Sequence, residues 1–276
     1  MLIYDTFLYN NEDQLLDIRL NILDKFVHKF VIVESKYTHS GNSKKLNFEI
    51  NNFKNFKDKI IYIYSDQYFP SNNDQTKEWV NENFQRNYIE KGILEANEND
   101  IIMVSDLDEI PNLENINFNQ IKNNIVGFMQ KLFLYKLNIC ETRSNSWLGT
   151  KMCKKKLLKS PQWIRNLKLQ KKYPFYRFDK FYFSKYYTRN FILVDDGGWH
   201  FSWVGDLDFV KQKILNTAHQ ELNITQNLDD SYLENCISNK KPLMHDGSVY
   251  EKINIKSDLL PNFIKNNYDK FKHLIG

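Results

Sequence analysis

Cysteine is scarce. Cys140, Cys153 and Cys236 are the only three, and no Cys-x-x-Cys pair joins them. An odd, sparse set without paired spacing excludes a disulfide framework and predicts a reducing compartment. Glycine is also sparse, at nine residues. None falls in Gly-x-Gly-x-x-Gly after the first strand, which argues against a dinucleotide-binding Rossmann unit, and no Gly-x-x-x-x-Gly-Lys occurs, which argues against a P-loop nucleotidase. Any phosphate must be held by metal and basic side chains. No apolar run approaches the roughly 20 residues that span a bilayer. The first residues lack the basic stretch and apolar core of a leader, so the expectation is a soluble, cytoplasmic protein. A net charge of +4 and a pI near 8.7 are too mild for a nucleic-acid protein. They suit an anionic substrate such as a nucleotide, or loose peripheral contact with an anionic membrane. Neither repeats nor linkers interrupt the 276 residues, which predicts one domain.

What the chain has is apolar and aromatic mass: 42% hydrophobic residues, with 16 Tyr and 20 Phe. These can build a large core, and Tyr and Trp also suit surfaces that stack on sugars. The informative stretch is Ile101-Ile102-Met103-Val104-Ser105-Asp106-Leu107-Asp108-Glu109-Ile110-Pro111. Four apolar residues in a row read as a strand buried on both faces. Three carboxylates follow within four positions, and Pro111 stops a central strand. In open α/β sheets, ligands bind beyond the carboxyl ends of the strands. Two like charges there repel unless something neutralises them. Hard oxygen ligands suit Mg²⁺ or Mn²⁺, making Asp106 and Asp108 candidate metal ligands. Asp also favours turns and caps, the plainer reading of the same residues.

In chain order, residues 2–9 read as a strand. An amphipathic helix follows on Leu15, Leu16, Ile18, Leu20, Ile22 and Leu23, and then a buried strand at Phe30-Val31-Ile32-Val33. Strand, helix, strand is the unit of a parallel sheet, so the fold class is α/β. Residues 59–64 give a third strand, 65–76 a loop, 77–96 one strong helix, and 101–104 the buried strand. Beyond Pro111, strands are expected at 125–129, 131–135, 147–152 and 191–194. Helices are expected at 206–221 and 257–274, and 173–187 is dense in aromatics. A second constellation is Asp195-Asp196-Gly197-Gly198-Trp199-His200. Its glycines allow close approach of a ligand or positive φ. His200 is either a core histidine or a further metal ligand. Asp195 and Asp196 are either turn residues or, in the case of Asp196, a general base.

Several pieces in this order resemble glycosyltransferase family 17. They are Ile3-Tyr4-Asp5-Thr6-Phe7 with Asn11-Glu12 and Ile18-Arg19-Leu20, and Phe30–Ser35 with Thr38. Asn83-Phe84-Gln85-Arg86-Asn87, Ser105–Pro111, Gly149-Thr150-Lys151 and Gly198-Trp199-His200-Phe201-Ser202-Trp203 complete the set. The resemblance implies a GT-A-like single domain with a mostly parallel central sheet flanked by helices. Residues 1–111 would form the nucleotide-sugar-binding half, 112–245 the acceptor side and 246–276 a C-terminal helical segment. It further implies a metal-dependent inverting transfer from a nucleotide sugar, UDP-sugar favoured and N-acetylglucosamine a candidate, to a glycan or glycolipid. Under that resemblance Asp106, Asp108 and His200 hold Mn²⁺ or Mg²⁺. Thr6, Phe7, Glu12, Glu34, Arg86, Asp106, Lys151 and Trp199 hold the donor, and Asp196 or Glu109 serves as base. Animal members carry a membrane anchor that is not expected here, which points to a bacterial or viral surface glycan. Two other readings stay open. One is a metal-dependent nucleotidyl- or phosphotransferase, which also uses paired Asp residues. The other is a non-catalytic carbohydrate-binding protein built on the aromatic 173–203 region.

Overall fold

The computed structural model describes residues 1–68, 77–143, 146–168, 191–216, 220–243 and 247–276. The expectations for 69–76 and for the aromatic segment 173–187 concern residues outside that set. Four parallel strands form the centre: β1 (Ile3–Leu8), β2 (Lys29–Ser35), β3 (Ile60–Ser65) and β4 (Ile101–Asp106). β1 lies between β2 and β4, with Thr6 opposite Val31 on one side and Val104 on the other. The apolar runs are explained by burial on both faces. Helix α1 (Asp13–Leu23) packs Leu15, Leu16, Ile18 and Leu20 against one face, joined by Phe7, Phe30 and Met103. Helices α2 (Lys77–Asn87) and α3 (Ile89–Gly92) cover the other, where Tyr88, Ile89 and Ile93 meet Val31, Val33 and Val104.

Beyond β4 the sheet becomes mixed. β5 (Glu109–Pro111) is a short strand after the acidic turn. β6 (Ile125–Leu134), β7 (Ile139–Glu141) and β8 (Ser146–Lys154) extend the sheet, β8 running antiparallel between β4 and β6. β9 (Phe191–Val194) and β10 (Gly198–Ser202) run parallel along β6, β10 also pairs antiparallel with β5, and β11 (Tyr250–Lys252) closes one edge. The protein is thus a mixed α/β domain whose large central sheet is flanked by helices and carries a parallel core, a GT-A-like arrangement.

Four element boundaries differ from expectation. The segments 125–129 and 131–135 form one strand. The helical pattern 77–96 divides at Tyr88 into α2 and the single turn α3, which ends at Gly92 packed against β2. A Cβ on Gly92 would lie 2.3 Å from Val31 Cγ1. Of the expected helix 206–221, Leu207–Asn216 is α-helical and Gln220–Leu222 is a 3₁₀ turn, with 217–219 outside the described residues. The expected helix 257–274 is broken into Asn262–Asn266, Tyr268–Phe271 and a 3₁₀ turn, with Pro261 outside the first piece and Asn267 non-helical between the first two. Leu260, Ile264, Phe271 and Leu274 are buried all the same, so the apolar pattern marked burial without continuity. Among the described residues no helix is long and apolar enough to cross a membrane.

Candidate active site

The chain leaves β1 toward β2 on one side and returns from β3 to β4 on the other. The crevice at the carboxyl ends of β1 and β4 is therefore the switch point where such sheets take ligands. β4 delivers Ser105 and Asp106 to it, and the turn Asp106–Glu109 is built from beneath by Arg19 of α1. Arg19 is fully buried and donates bidentately to Asp5, at 2.8 and 2.6 Å. It donates also to Ser105 Oγ at 2.6 Å and to the carbonyls of Asp106, Leu107 and Glu109 at 3.0, 3.1 and 2.8 Å. Its guanidinium lies 4.5 Å from the centre of the Phe7 ring. Thr150 Oγ1 adds a bond to the Glu109 carbonyl at 2.9 Å. The carbonyls of the turn are thereby tied inward.

Above the turn the carboxylates meet cations. Asp106, whose side chain is 37% exposed, accepts from Arg86 at 2.7 Å and from Arg165 at 2.6 Å. Arg165, in the last turn of α4 (Pro161–Asn166), also donates to Glu109 at 2.8 Å. Burial pushes the Asp106 pKa up, but the charges of Arg165 and Arg86 outweigh it and hold the carboxyl well below its usual range. Asp108 accepts from Lys213 at 2.9 Å, on the helix Leu207–Asn216. Against the rise from burial, Lys213 and then His200 lower its pKa. Lys213 also reaches Glu12 at 3.4 Å, where burial raises the carboxyl pKa. The like-charge conflict of Asp-x-Asp is thus met by two guanidinium groups and an ammonium. On the far side, His200 Nε2 stands 3.7 Å from Asp108 Oδ1, and its ring lies 5.3 Å from that of Trp147.

The expected site residues divide. Asp106, Asp108, Glu109, Glu12, Arg86 and His200 converge here. Lys151, buried beside them, donates to the Arg165 carbonyl at 2.5 Å. Burial, aided by the Arg165 charge, pushes its pKa down to about 7. The rest are placed elsewhere. Thr6 is buried and donates to the Met103 carbonyl at 2.7 Å, stitching β1 to β4. The Phe7 side chain is in the core under Arg19. Glu34 is buried and accepts from Lys44, the Asn47 and Phe48 amides and Tyr62, clamping the loop after β2. Trp199 points away from His200, as successive strand residues do, and donates to the Leu259 carbonyl at 2.8 Å.

The two expected bases, Glu109 and Asp196, sit in different surroundings. Glu109 is fully buried, and its oxygens accept from Trp147, Arg165 and the Asp106 amide. Asp196 is exposed in the turn between β9 and β10, at positive φ, and Gly198 just after it pairs with Pro111 rather than with Glu109. Sequence reasoning missed Arg19, Arg165 and Lys213. Arg19 left one signal, a charge flanked by Ile18 and Leu20 on the buried face of α1. Arg165 and Lys213 left none.

Among the described residues, no group of three or more His, Cys, Asp or Glu is arranged to hold a metal ion. Two side chains face one another there. Asp108 Oδ1 faces His200 Nε2, and His200 Nδ1 is buried without a hydrogen-bond partner. Mg²⁺-type cations are commonly held by one or two protein ligands with phosphate oxygens supplying the rest. Three buried side-chain atoms lack partners among the described residues: His200 Nδ1, Arg86 Nε and His39 Nδ1. Of these side chains Arg86 donates to Asp106 directly, and His200 faces Asp108. Buried polar groups are normally satisfied.

The parallel core thus ends in paired carboxylates ringed by two guanidinium groups and an ammonium. The chain belongs to glycosyltransferase family 17, whose sequence pattern matches residues 1–160. That span carries Arg19, Arg86, Asp106, Asp108, Glu109 and Lys151, while Arg165, His200 and Lys213 lie beyond it. Similar proteins include the human, rat and mouse enzymes named beta-1,4-mannosyl-glycoprotein 4-beta-N-acetylglucosaminyltransferase. They are 27%, 27% and 26% identical over 117 residues, or 40% of this chain. The match spans about a fifth of the length of these relatives: 22% of the human protein and 21% of the other two.

Proposed function

We propose that the chain transfers a sugar, with N-acetylglucosamine the first candidate, from a nucleoside diphosphate donor to a glycan or glycolipid acceptor. The observation that carries this reading is the convergence of Arg86, Arg165 and Lys213 on Asp106 and Asp108 at the carboxyl ends of the central strands. The relatives' names supply the sugar, and UDP is the nucleotide favoured. A departing nucleoside diphosphate develops charge that must be neutralised. Preorganised cationic donors do this at little reorganisation cost. Arg86 and Arg165, freed from Asp106, present forked N–H groups to phosphate oxygens. In the same reading Asp108, Asp106 and His200 would hold Mn²⁺ or Mg²⁺, which supplies Lewis-acid charge to the diphosphate when bound. Trp147, partly exposed beside His200, offers an aromatic face to the sugar. Inversion is the stereochemistry the family resemblance implies.

The test is release of nucleotide from a panel of UDP-, GDP- and CMP-sugars with Mn²⁺, with and without acceptor glycans. The expected result is UDP release that EDTA and Asp108→Ala each abolish, and an inverted anomeric product. Turnover unchanged by both treatments would overturn the metal role. Release of pyrophosphate from a nucleoside triphosphate would favour a nucleotidyltransferase instead.

A further inference from the structure

Glu109 is fully buried in β5, and the reaction outlined above gives it no part. Its main chain is pinned from two sides. The carbonyl accepts from Arg19 at 2.8 Å and from Thr150 Oγ1 at 2.9 Å, and β5 sets the residue opposite His200 of β10. Its carboxylate gathers three donors from three separate parts of the chain. Oε1 accepts from the Trp147 indole N–H at 2.5 Å and from Arg165 Nη2 at 2.8 Å. Oε2 accepts from the Asp106 amide at 3.1 Å. One oxygen is therefore shared by the aromatic ring offered to the sugar and the guanidinium offered to the diphosphate.

The shared oxygen constrains both groups. Arg165 Nη2 carries two hydrogens. One goes to Glu109 and the other to Asp106 Oδ2 at 2.6 Å, while Nη1 reaches the Gly149 carbonyl at 3.4 Å. A phosphate oxygen that takes the place of Asp106 leaves the bonds to Glu109 and Gly149 intact, so the guanidinium keeps its aim. Trp147 is 42% exposed, and surface rings of that kind change rotamer readily unless held. Its indole has a single donor, and that donor is spent on Glu109. Groups fixed before a ligand arrives spare the entropy of ordering them on binding.

We propose that Glu109 is a positioning residue, whose carboxylate fixes Trp147 and Arg165 relative to each other so that the sugar and the diphosphate of one donor meet both. The assignment rests on the nucleotide-sugar reading above. It needs a carboxylate. A glutamine at this place turns its NH₂ group either to the Asp106 amide or to Trp147 and Arg165, and sets donor against donor in both cases.

The experiment is calorimetric binding of UDP and UDP-N-acetylglucosamine with Mn²⁺ to the wild-type chain, Glu109→Gln, Trp147→Phe and the double variant, with kcat and donor KM measured on the same proteins. Trp147→Phe is expected to weaken the sugar nucleotide and leave UDP as it was. Glu109→Gln is expected to weaken UDP about tenfold, the scale of one hydrogen bond to a charged group, and the sugar nucleotide more than UDP. In the Trp147→Phe background the same change should cost the two ligands equally, because the route through the indole is gone. Donor KM should rise as affinity falls. Should Glu109→Gln fail to fold, the wild type decides by nuclear magnetic resonance. Of the five tryptophan indole N–H signals, the one missing from Trp147→Phe should exchange with solvent far more slowly than a free indole, despite the exposure of its ring. Free exchange of that proton overturns the Glu109 assignment and leaves the glycosyltransferase reading standing. So does unchanged affinity in Glu109→Gln, equal weakening of both ligands in both backgrounds, or a loss confined to kcat. Absence of binding of either ligand to the wild type overturns both readings.

Discussion

Replacing Arg19 by leucine is the most demanding test of the site's construction. The side chain is completely buried, as is its partner Asp5. Leucine leaves the Asp5 carboxylate buried without its cation, and breaking such a pair from one side costs about 3–5 kcal/mol. The carbonyls of Asp106, Leu107 and Glu109 lose a common donor at the same time. Each unpaired buried group adds on the order of 1 kcal/mol, partly relieved by water at the crevice. A loss of about 4 kcal/mol is a large share of the roughly 5–15 kcal/mol that holds a domain. At about 2–4 °C per kcal/mol for a chain of this size, the midpoint should fall by about 8–16 °C. Urea and thermal unfolding followed by circular dichroism read both quantities. The double variant Asp5→Leu/Arg19→Leu removes both charges and should regain part of the loss. A single variant within about 1 kcal/mol of wild type, or a double variant no better than the single, would refute the clamp.

Other outcomes follow from the same contacts. Arg165→Ala should reduce turnover by about 10²–10³-fold, the scale of removing one charge-stabilising donor. Arg165→Lys should rescue it only in part, since one ammonium cannot fork between Asp106 and Glu109. Equal rates for Arg165→Lys and wild type, measured by nucleotide release, would remove Arg165 from the site. The Lys151 ammonium, pushed from 10.5 to about 7, should leave its mark on stability. Between those values the unfolded chain binds the extra proton, so stability should rise with pH by up to about 1.4 kcal/mol per unit. Lys151→Met should flatten that slope in unfolding measured from pH 7 to 10, and an unaltered slope would contradict the buried ammonium. Glu34→Gln should loosen the loop it clamps and speed proteolysis within residues 36–48, and cleavage no faster than in wild type would contradict the clamp.

The parallel core was legible from the residues because its signal is local. Phe30–Val33 and Ile101–Val104 are apolar without alternation, as strands buried on both faces must be, and the carboxylates of Asp106 and Asp108 follow directly. Helix continuity was less legible. Gly92 and Asn267 end helices for reasons of packing and breaking that the apolar spacing of 77–96 and 257–274 conceals. At the site, the sequence by itself determined that two carboxylates stand at a strand end and that His200 follows a pair of glycines. Only tertiary structure decided what faces them. Arg19 reaches Glu109 across 90 positions, Arg165 reaches Asp106 across 59 and Lys213 reaches Asp108 across 105. The side chains expected at the donor lie where they do for the same reason. Thr6 bonds the next strand, Glu34 a loop and Trp199 the C-terminal segment, because a side chain's role depends on which neighbour the fold sets against it. Charge neutralisation is a property of space, and residue spacing along the chain records only one side of each pair.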